Sequence, residues 1–223
     1  MFVNPPGAPI EILFDKEGQE EAESNGIELA KLLDLPEDSA EIGVVYRDAF
    51  VVVVKDAVRF ADGRVGSYIR ALGSHEASGA AGFPLLSDGR VVLVKHFRHA
   101  TRAEHWEIPR GFGSPGADVT ETARRETEEE LGCPVTEVIA LGGTNPDSGA
   151  GGGTDGLCLV RIDAETFDGT LSDEARAEGI TSVRAFAWDA FVAMIANGEI
   201  DDGYTLSAFG LILAKGLAPA PSR

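Results

Sequence analysis

The stretch RGFGSPGADVTETARRETEEELGC, residues 110–133, constrains the chain more than any other segment, because it specifies a loop, a helix and both ends of that helix. Asp118 is a good N-cap, Glu121 follows three residues later in capping-box spacing, and Gly132 with Pro134 just beyond it stops the helix. Val119, Ala123, Thr127 and Leu131 form a weakly apolar stripe that is expected to face a core. Glu126, Glu129 and Glu130 share another face, within an arc of about 100°. Three carboxylates in one patch repel each other, which is costly unless a cation sits among them.

Hard oxygen ligands suit Mg²⁺ or Mn²⁺ rather than zinc, and magnesium commonly keeps waters and shares substrate phosphates. Arg125 is placed to fork onto a neighbouring carboxylate and fix its direction. Upstream, Gly111, Gly113, Ser114, Pro115 and Gly116 form a loop that approaches the helix N-terminus, where backbone amides and the dipole favour anions.

From Gly111 to Cys133 the segment resembles the Nudix hydrolase box, G-x5-E-x7-R-E-U-x-E-E-x-G-U. Two positions depart from it: Ala117 stands where the box has its early glutamate, and Thr127 occupies the first apolar position. In the family the early glutamate mainly supports the loop, so the departure bears on the loop more than on the chemistry. The resemblance implies that Glu126, Glu129 and Glu130 bind Mg²⁺ or Mn²⁺, with the carbonyl of Arg110 as a further ligand.

The net charge of −18 argues against nucleic acid or an anionic membrane as partner, since phosphate backbones call for a basic face. Substrate phosphates must then be met locally, by metal and by arginines, with Arg98, Arg102 and Arg110 nearest in sequence. No apolar run approaches the length of a membrane span, and the first residues lack the basic segment and apolar core of a signal peptide, so the expected location is cytoplasmic. Cys133 and Cys158 read as free core thiols. His96, His99 and His105 lack a zinc spacing and read as satisfied or solvent-facing.

Along the chain, residues 20–35 suggest a helix with Ile27, Ala30 and Leu33 on its apolar side. Two β-rich runs, GVVYRDAFVVVVKDAVRF and GRVGSYIRAL, are separated by the turn Ala61-Asp62-Gly63 and predict a small antiparallel sheet. The likeliest boundary by composition lies at 73–80, which is short and Gly/Ser-containing. A hairpin turning at Ser87-Asp88-Gly89 follows, then WEIPRGFG, then two strands around a Gly-rich loop beyond the helix, a strand entering a helix at residues 190–197, and a last amphipathic helix over 205–215. This gives an N-terminal helix and β unit at 1–75, a catalytic domain at 76–218 and a loose tail at 219–223.

The expected fold class is α+β, a Nudix fold with a mixed sheet sandwiched between helices and a small N-terminal antiparallel β unit. The ADP-ribose pyrophosphatase branch of the family has a comparable β unit that helps pair two subunits, which implies a homodimer. The resemblance further implies metal-dependent hydrolysis of a nucleoside diphosphate conjugate, foremost ADP-ribose giving AMP and ribose 5-phosphate. Another nucleotide sugar, NADH or a dinucleoside polyphosphate remains open as substrate, as does a sensor that binds a nucleotide metabolite without turnover. Arg98, Glu107, Arg110 and Pro146 are the candidate substrate contacts; Glu107 is read first as a strand-end ion pair and otherwise as a contact to substrate or a second metal, and Pro146 also as a turn residue. In that branch the water-activating group often comes from a loop beyond the box, so the resemblance implies a carboxylate on the acidic loop at 171–180, with Glu178 beside Gly179 first, Glu174 second, and Glu129 the alternative within the box.

Overall fold

The computed structural model describes residues 7–73, 78–114 and 116–219. The extreme N-terminus, residues 74–77 of the proposed boundary, Pro115 of the Gly-rich loop and the last four residues of the proposed tail lie outside the described residues. The chain divides into two compact units, one of Met1–Glu76 with Asp147–Gly153, the other of Ala77–Pro146 with Thr154–Arg223.

In the first unit, β1 (Glu11–Ile12) precedes α1 (Lys16–Leu32), a 3₁₀ turn (Glu37–Ala40) and the strands β2 (Gly43–Arg47), β3 (Val51–Arg59) and β4 (Val65–Gly73). Antiparallel β3 is central, with β4 along one edge and β2 and β1 sharing the other. The β-rich run at 43–60 is thus itself a hairpin. Asp48 causes the reversal, because its carboxylate accepts from the amides of Phe50 and Val51 at 2.7 and 2.8 Å. Helix α1 begins earlier than its apolar spacing suggests, since Asp15 caps it by accepting from the Gly18 amide. Its inward side is Gly18, Ala22 and Ala30, whereas Leu33, expected inside, is 57% exposed. The core here is small, built on Leu13, Ala22, Ala57 and Val65. The segment Asp147–Gly153 belongs to this unit because it lies along β4: the Ala71 amide donates to Ala150 O, Gly152 N to Ala71 O, and the Tyr68 hydroxyl to Gly149 O.

The second unit is a seven-stranded mixed sheet between helices. Its strands are β5 (Ala80–Leu86), β6 (Val91–Arg98), β7 (Ala103–Glu107), β8 (Arg110–Gly111), β9 (Val135–Thr144), β10 (Asp155–Ile162) and β11 (Ile180–Phe186). The order β11-β6-β5-β10-β9 has β7 attached to β6 and β8 to β5, and β5 runs parallel to β10. Four helices complete it: α2 (Val119–Leu131), α3 (Asp173–Ala177), α4 (Trp188–Ala196) and α5 (Gly203–Ala214). Strands β5 and β10 are buried on both faces, which is why they read as apolar runs without alternation. One face sends Val92, Val94, Cys158 and Val160 toward Ala123 and Leu131 of α2. The other sends Phe83, Leu93, Leu157 and Leu159 toward Phe191 of α4 and Ile212 of α5. Both cysteines are free and buried.

Candidate active site

Helix α2 carries the carboxylates, and its position is set by two glycines beneath it. A Cβ on Gly82 would stand 2.5 Å from Thr127 Oγ1, and one on Gly156 would stand 2.6 Å from Val119, so only glycine lets the helix lie this close to β5 and β10. Thr127 is fully buried, its hydroxyl donating to Ala123 O at 2.7 Å, which explains how a polar residue fills an apolar position. The capping box closes as the spacing predicts, with Asp118 accepting from Thr120 and Glu121 amides, and Gly132 ends the helix at φ 66°.

The inward carboxylates are Glu126 and Glu130, 7% and 4% exposed. Glu126 lies against the Cα of Gly111, where a Cβ would meet its carboxyl at 2.2 Å. Arg125 bonds Glu126, reaches Glu129 at 2.8 Å and donates to Phe112 O at 2.9 Å, so it fixes both carboxylates and the loop at once. Glu130 Oε1 accepts from the Arg110 amide at 3.3 Å, while its Oε2 is buried with no partner. Burial pushes the Glu130 carboxyl up to about 8, with the charges of Glu126, Glu107 and Glu178 adding to the push and the Arg110 amide opposing it. Glu126 is raised in the same way, chiefly by burial, with Arg125 offsetting part of it.

A bound cation would answer each of these features. Glu126, Glu129 and Glu130, joined by Glu174 and Glu178, line a cleft of about 280 Å³. Among the described residues no group of three or more His, Cys, Asp or Glu stands, as placed, where it could hold a metal ion, so the carboxylates share a cleft without forming a preset cage. An all-oxygen cleft with an orphaned carboxylate oxygen fits a divalent ion that keeps several waters. Without metal, Glu130 takes up a proton in the folded state that the unfolded chain has already released above about pH 4.5. The metal-free protein is therefore expected to lose thermal stability as pH rises from about 4.5 to 8, and Glu130→Gln is expected to flatten that slope. Melting curves against pH in a chelator check this; an equal slope in the variant would contradict it.

Glu174 and Glu178 do reach the cleft, but not from an open loop as expected. Residues 173–177 are the short helix α3, capped by Ser172, whose hydroxyl accepts from the Ala175 amide and donates to Glu129 O, both at 3.0 Å. Ala175 is buried and anchors the turn, and Glu178 ends it just before Gly179 at φ 95°. A five-residue helix with one buried alanine has too little periodicity to be read from sequence.

A Nudix domain profile matches residues 76–209, more than half of the chain, on the unit that carries this cleft. The chain belongs to the Nudix family. No curated protein matches the sequence. Among solved structures, one described as the crystal structure of ADP compounds hydrolase is 18% identical, covers 81% of this chain and 95% of its own, and superposes with a TM-score of 0.64, a likeness of fold.

Beside the Nudix cleft is a second cavity of about 320 Å³, with Gly111 on its wall. Arg98, Arg110, Phe112, Asp155 and Tyr204 line it. The Arg110 guanidinium lies 4.3 Å over the Tyr204 ring and donates to Asp202 Oδ1 at 3.1 Å. The Tyr204 hydroxyl donates to Asp155 Oδ2, whose Oδ1 accepts from the Gly79 amide at 3.0 Å. Burial first, and then this bond to Asp155, push the Tyr204 phenol far up, so it stays a donor.

Two expected substrate contacts are placed otherwise. Glu107 is 1% exposed and lines neither cavity; it accepts from Arg98 at 3.2 Å and Arg110 at 3.4 Å, the ion-pair role. Burial opposes its charge, yet hydrogen bonds from His96 and Arg98 and the charges of Arg110 and Arg98 outweigh that and hold its carboxyl below the usual range. Pro146 is exposed and on neither wall, as is Arg102. Asp155, Asp202 and Tyr204 were not found from sequence, because they lie 92 residues from Arg110 in the case of Asp202 and carry no local spacing.

Proposed function

We propose that this chain hydrolyses the pyrophosphate bond of a nucleoside diphosphate conjugate, foremost ADP-ribose, giving AMP and ribose 5-phosphate. The observation that carries the reading is the adjacency of an all-carboxylate cleft and an arginine-bearing cavity, with Gly111 touching Glu126 on one side and lining the cavity on the other. A diphosphate spanning this strand meets acidic groups that hold divalent metal and, next to them, guanidinium groups that suit phosphate. The name of the structural relative, an ADP compounds hydrolase, agrees with it.

In this reading Glu126, Glu129, Glu130 and the Arg110 carbonyl would hold Mg²⁺ or Mn²⁺, which would supply charge neutralisation at the phosphoryl group and activation of water. Arg125 keeps Glu126 and Glu129 in register. Glu178 takes the proton of the attacking water, with Glu174 next in line and Glu129 the alternative on α2; all three are on the cleft wall. Arg98 and Arg110 orient the substrate's phosphates, and buried Glu107 sets the direction of both guanidinium groups.

The test is a Mg²⁺-dependent screen of ADP-ribose, other nucleotide sugars, NADH and dinucleoside polyphosphates, with products identified by mass. AMP and ribose 5-phosphate are the expected products. Calorimetric binding of a nucleotide without any phosphate-ester product would overturn hydrolysis in favour of a sensor.

The proposal includes a homodimer. Edge strand β2 presents Val44, Val45 and Tyr46 at 58%, 41% and 53% exposure, with Phe50 at 66% in the following turn, and the core beneath that sheet is small. Light scattering at micromolar concentration is expected to give twice the 23.5 kDa chain mass. A monomer would refute it.

A further inference from the structure

Side chains along strand β6 point alternately to its two faces, and the row that places Val92 and Val94 in the core beneath α2 continues to His96. The histidine is 7% exposed, in a place where the pattern calls for an apolar residue. Its Nε2 lies 2.9 Å from the carbonyl oxygen of Glu178. A carbonyl oxygen only accepts, so Nε2 carries the hydrogen. The other nitrogen, Nδ1, is buried 3.1 Å from Glu107 Oε1, and it faces that carboxylate as an ion-pair donor when the ring carries a second proton. One ring therefore touches the residue that ends α3 beside the acidic cleft and the carboxylate that directs Arg98 and Arg110 in the next cavity.

We infer that His96 is a positioning residue that fixes Glu178 over the cleft with one nitrogen and steadies the Glu107 arginine clamp with the other. The inference rests on the hydrolase reading for its consequences in turnover, and on the two contacts for its geometry. Glu178 precedes Gly179, whose backbone at φ 95° offers little restraint of its own. Two bonds hold this point to β6: the His96 ring to Glu178 O, and the Phe97 amide to Gly179 O at 3.0 Å. Removing the ring leaves one main-chain bond from this point to β6, beside the bonds of the Glu178 amide to Glu174 O and the Gly179 amide to Arg176 O within the α3 turn. It also takes from Glu107 the imidazole nitrogen that lies 3.1 Å from Oε1, leaving Arg98 and Arg110 against the carboxylate.

The two functions separate by substitution, because a glutamine amide reaches about as far as Nε2 and an asparagine amide about as far as Nδ1. With ADP-ribose and Mg²⁺, His96→Leu is expected to lower kcat and raise KM, each by roughly tenfold, the scale of leaving a buried acceptor without its donor. His96→Gln should recover kcat while KM stays raised, and His96→Asn should do the reverse. Hydrogen exchange at the Phe97 amide, measured without substrate, should quicken by roughly tenfold in His96→Leu and return toward the parent in His96→Gln. Parental kcat and KM in His96→Leu would overturn the inference, as would Gln and Asn variants that behave alike if the Leu variant fails to fold. Should the parent hydrolyse no diphosphate, the hydrolase reading falls. The exchange measurement then decides the tether alone, and an unchanged Phe97 amide in both His96→Leu and His96→Gln rejects it.

Discussion

Glu126→Gln and Glu130→Gln are each expected to lower kcat by roughly a hundredfold or more while leaving circular dichroism unchanged, the scale for removing one electrostatic group from an active site. An amide keeps the shape of the side chain and loses the charge that holds a cation. The two carboxylates are the most buried in the cleft, and each resists ionising because of that burial. Loss of activity must therefore come without loss of stability. In chelator at pH 8, Glu130→Gln should melt no lower than the parent, since the substitution removes a buried group that the fold disfavours in its charged form. Parental turnover of ADP-ribose by either variant would show that the metal is held elsewhere.

Gly111→Ala should be almost as damaging, for a different reason. Its backbone is not in the left-handed region, so the cost is purely steric: the new methyl would meet the Glu126 carboxyl at 2.2–2.3 Å. The glutamate side chain is the flexible partner and will yield, which takes it away from Glu129 and Glu130. We expect secondary structure to persist and kcat to fall on the order of a hundredfold, with apparent Mg²⁺ affinity reduced, the range seen when a ligand's supporting contact is lost. A variant with parental metal dependence would mean that the close approach has no role in placing Glu126.

Helix α2 was legible because every signal for it is local: cap, stripe, carboxylate face and stop lie within Asp118–Gly132. Strands β5 and β10 and their turn signals were legible for the same reason. The hairpin at Asp48 was not, because an aspartate in a valine-rich run gives no sign that its carboxylate will accept two amides and fold the run back. Glu107 shows a further limit. A glutamate beside the Gly-rich loop reads as an ion pair or as a contact for substrate or metal, and only the fold shows that three side chains brought in by β6 and β8 claim both its oxygens. The wall of the second cavity was hidden for want of any short-range pattern, since Asp155 begins β10 and Tyr204 is the second residue of α5, far from Arg110 in the chain. Thr205 shows how such distant pieces are locked: its hydroxyl donates to Asp202 Oδ2 at 2.7 Å and accepts from the Ile108 amide at 3.1 Å.

Arg110 turns two faces to two neighbours, its main chain to Glu130 and its side chain to Tyr204, Asp202 and Glu107. The main-chain part is the same for every residue that fits the strand. A lineage carrying this fold can therefore exchange the side chain at 110 and retune what the cavity accepts without disturbing the amide beside the carboxylates. Selectivity can drift here while the chemistry is inherited intact.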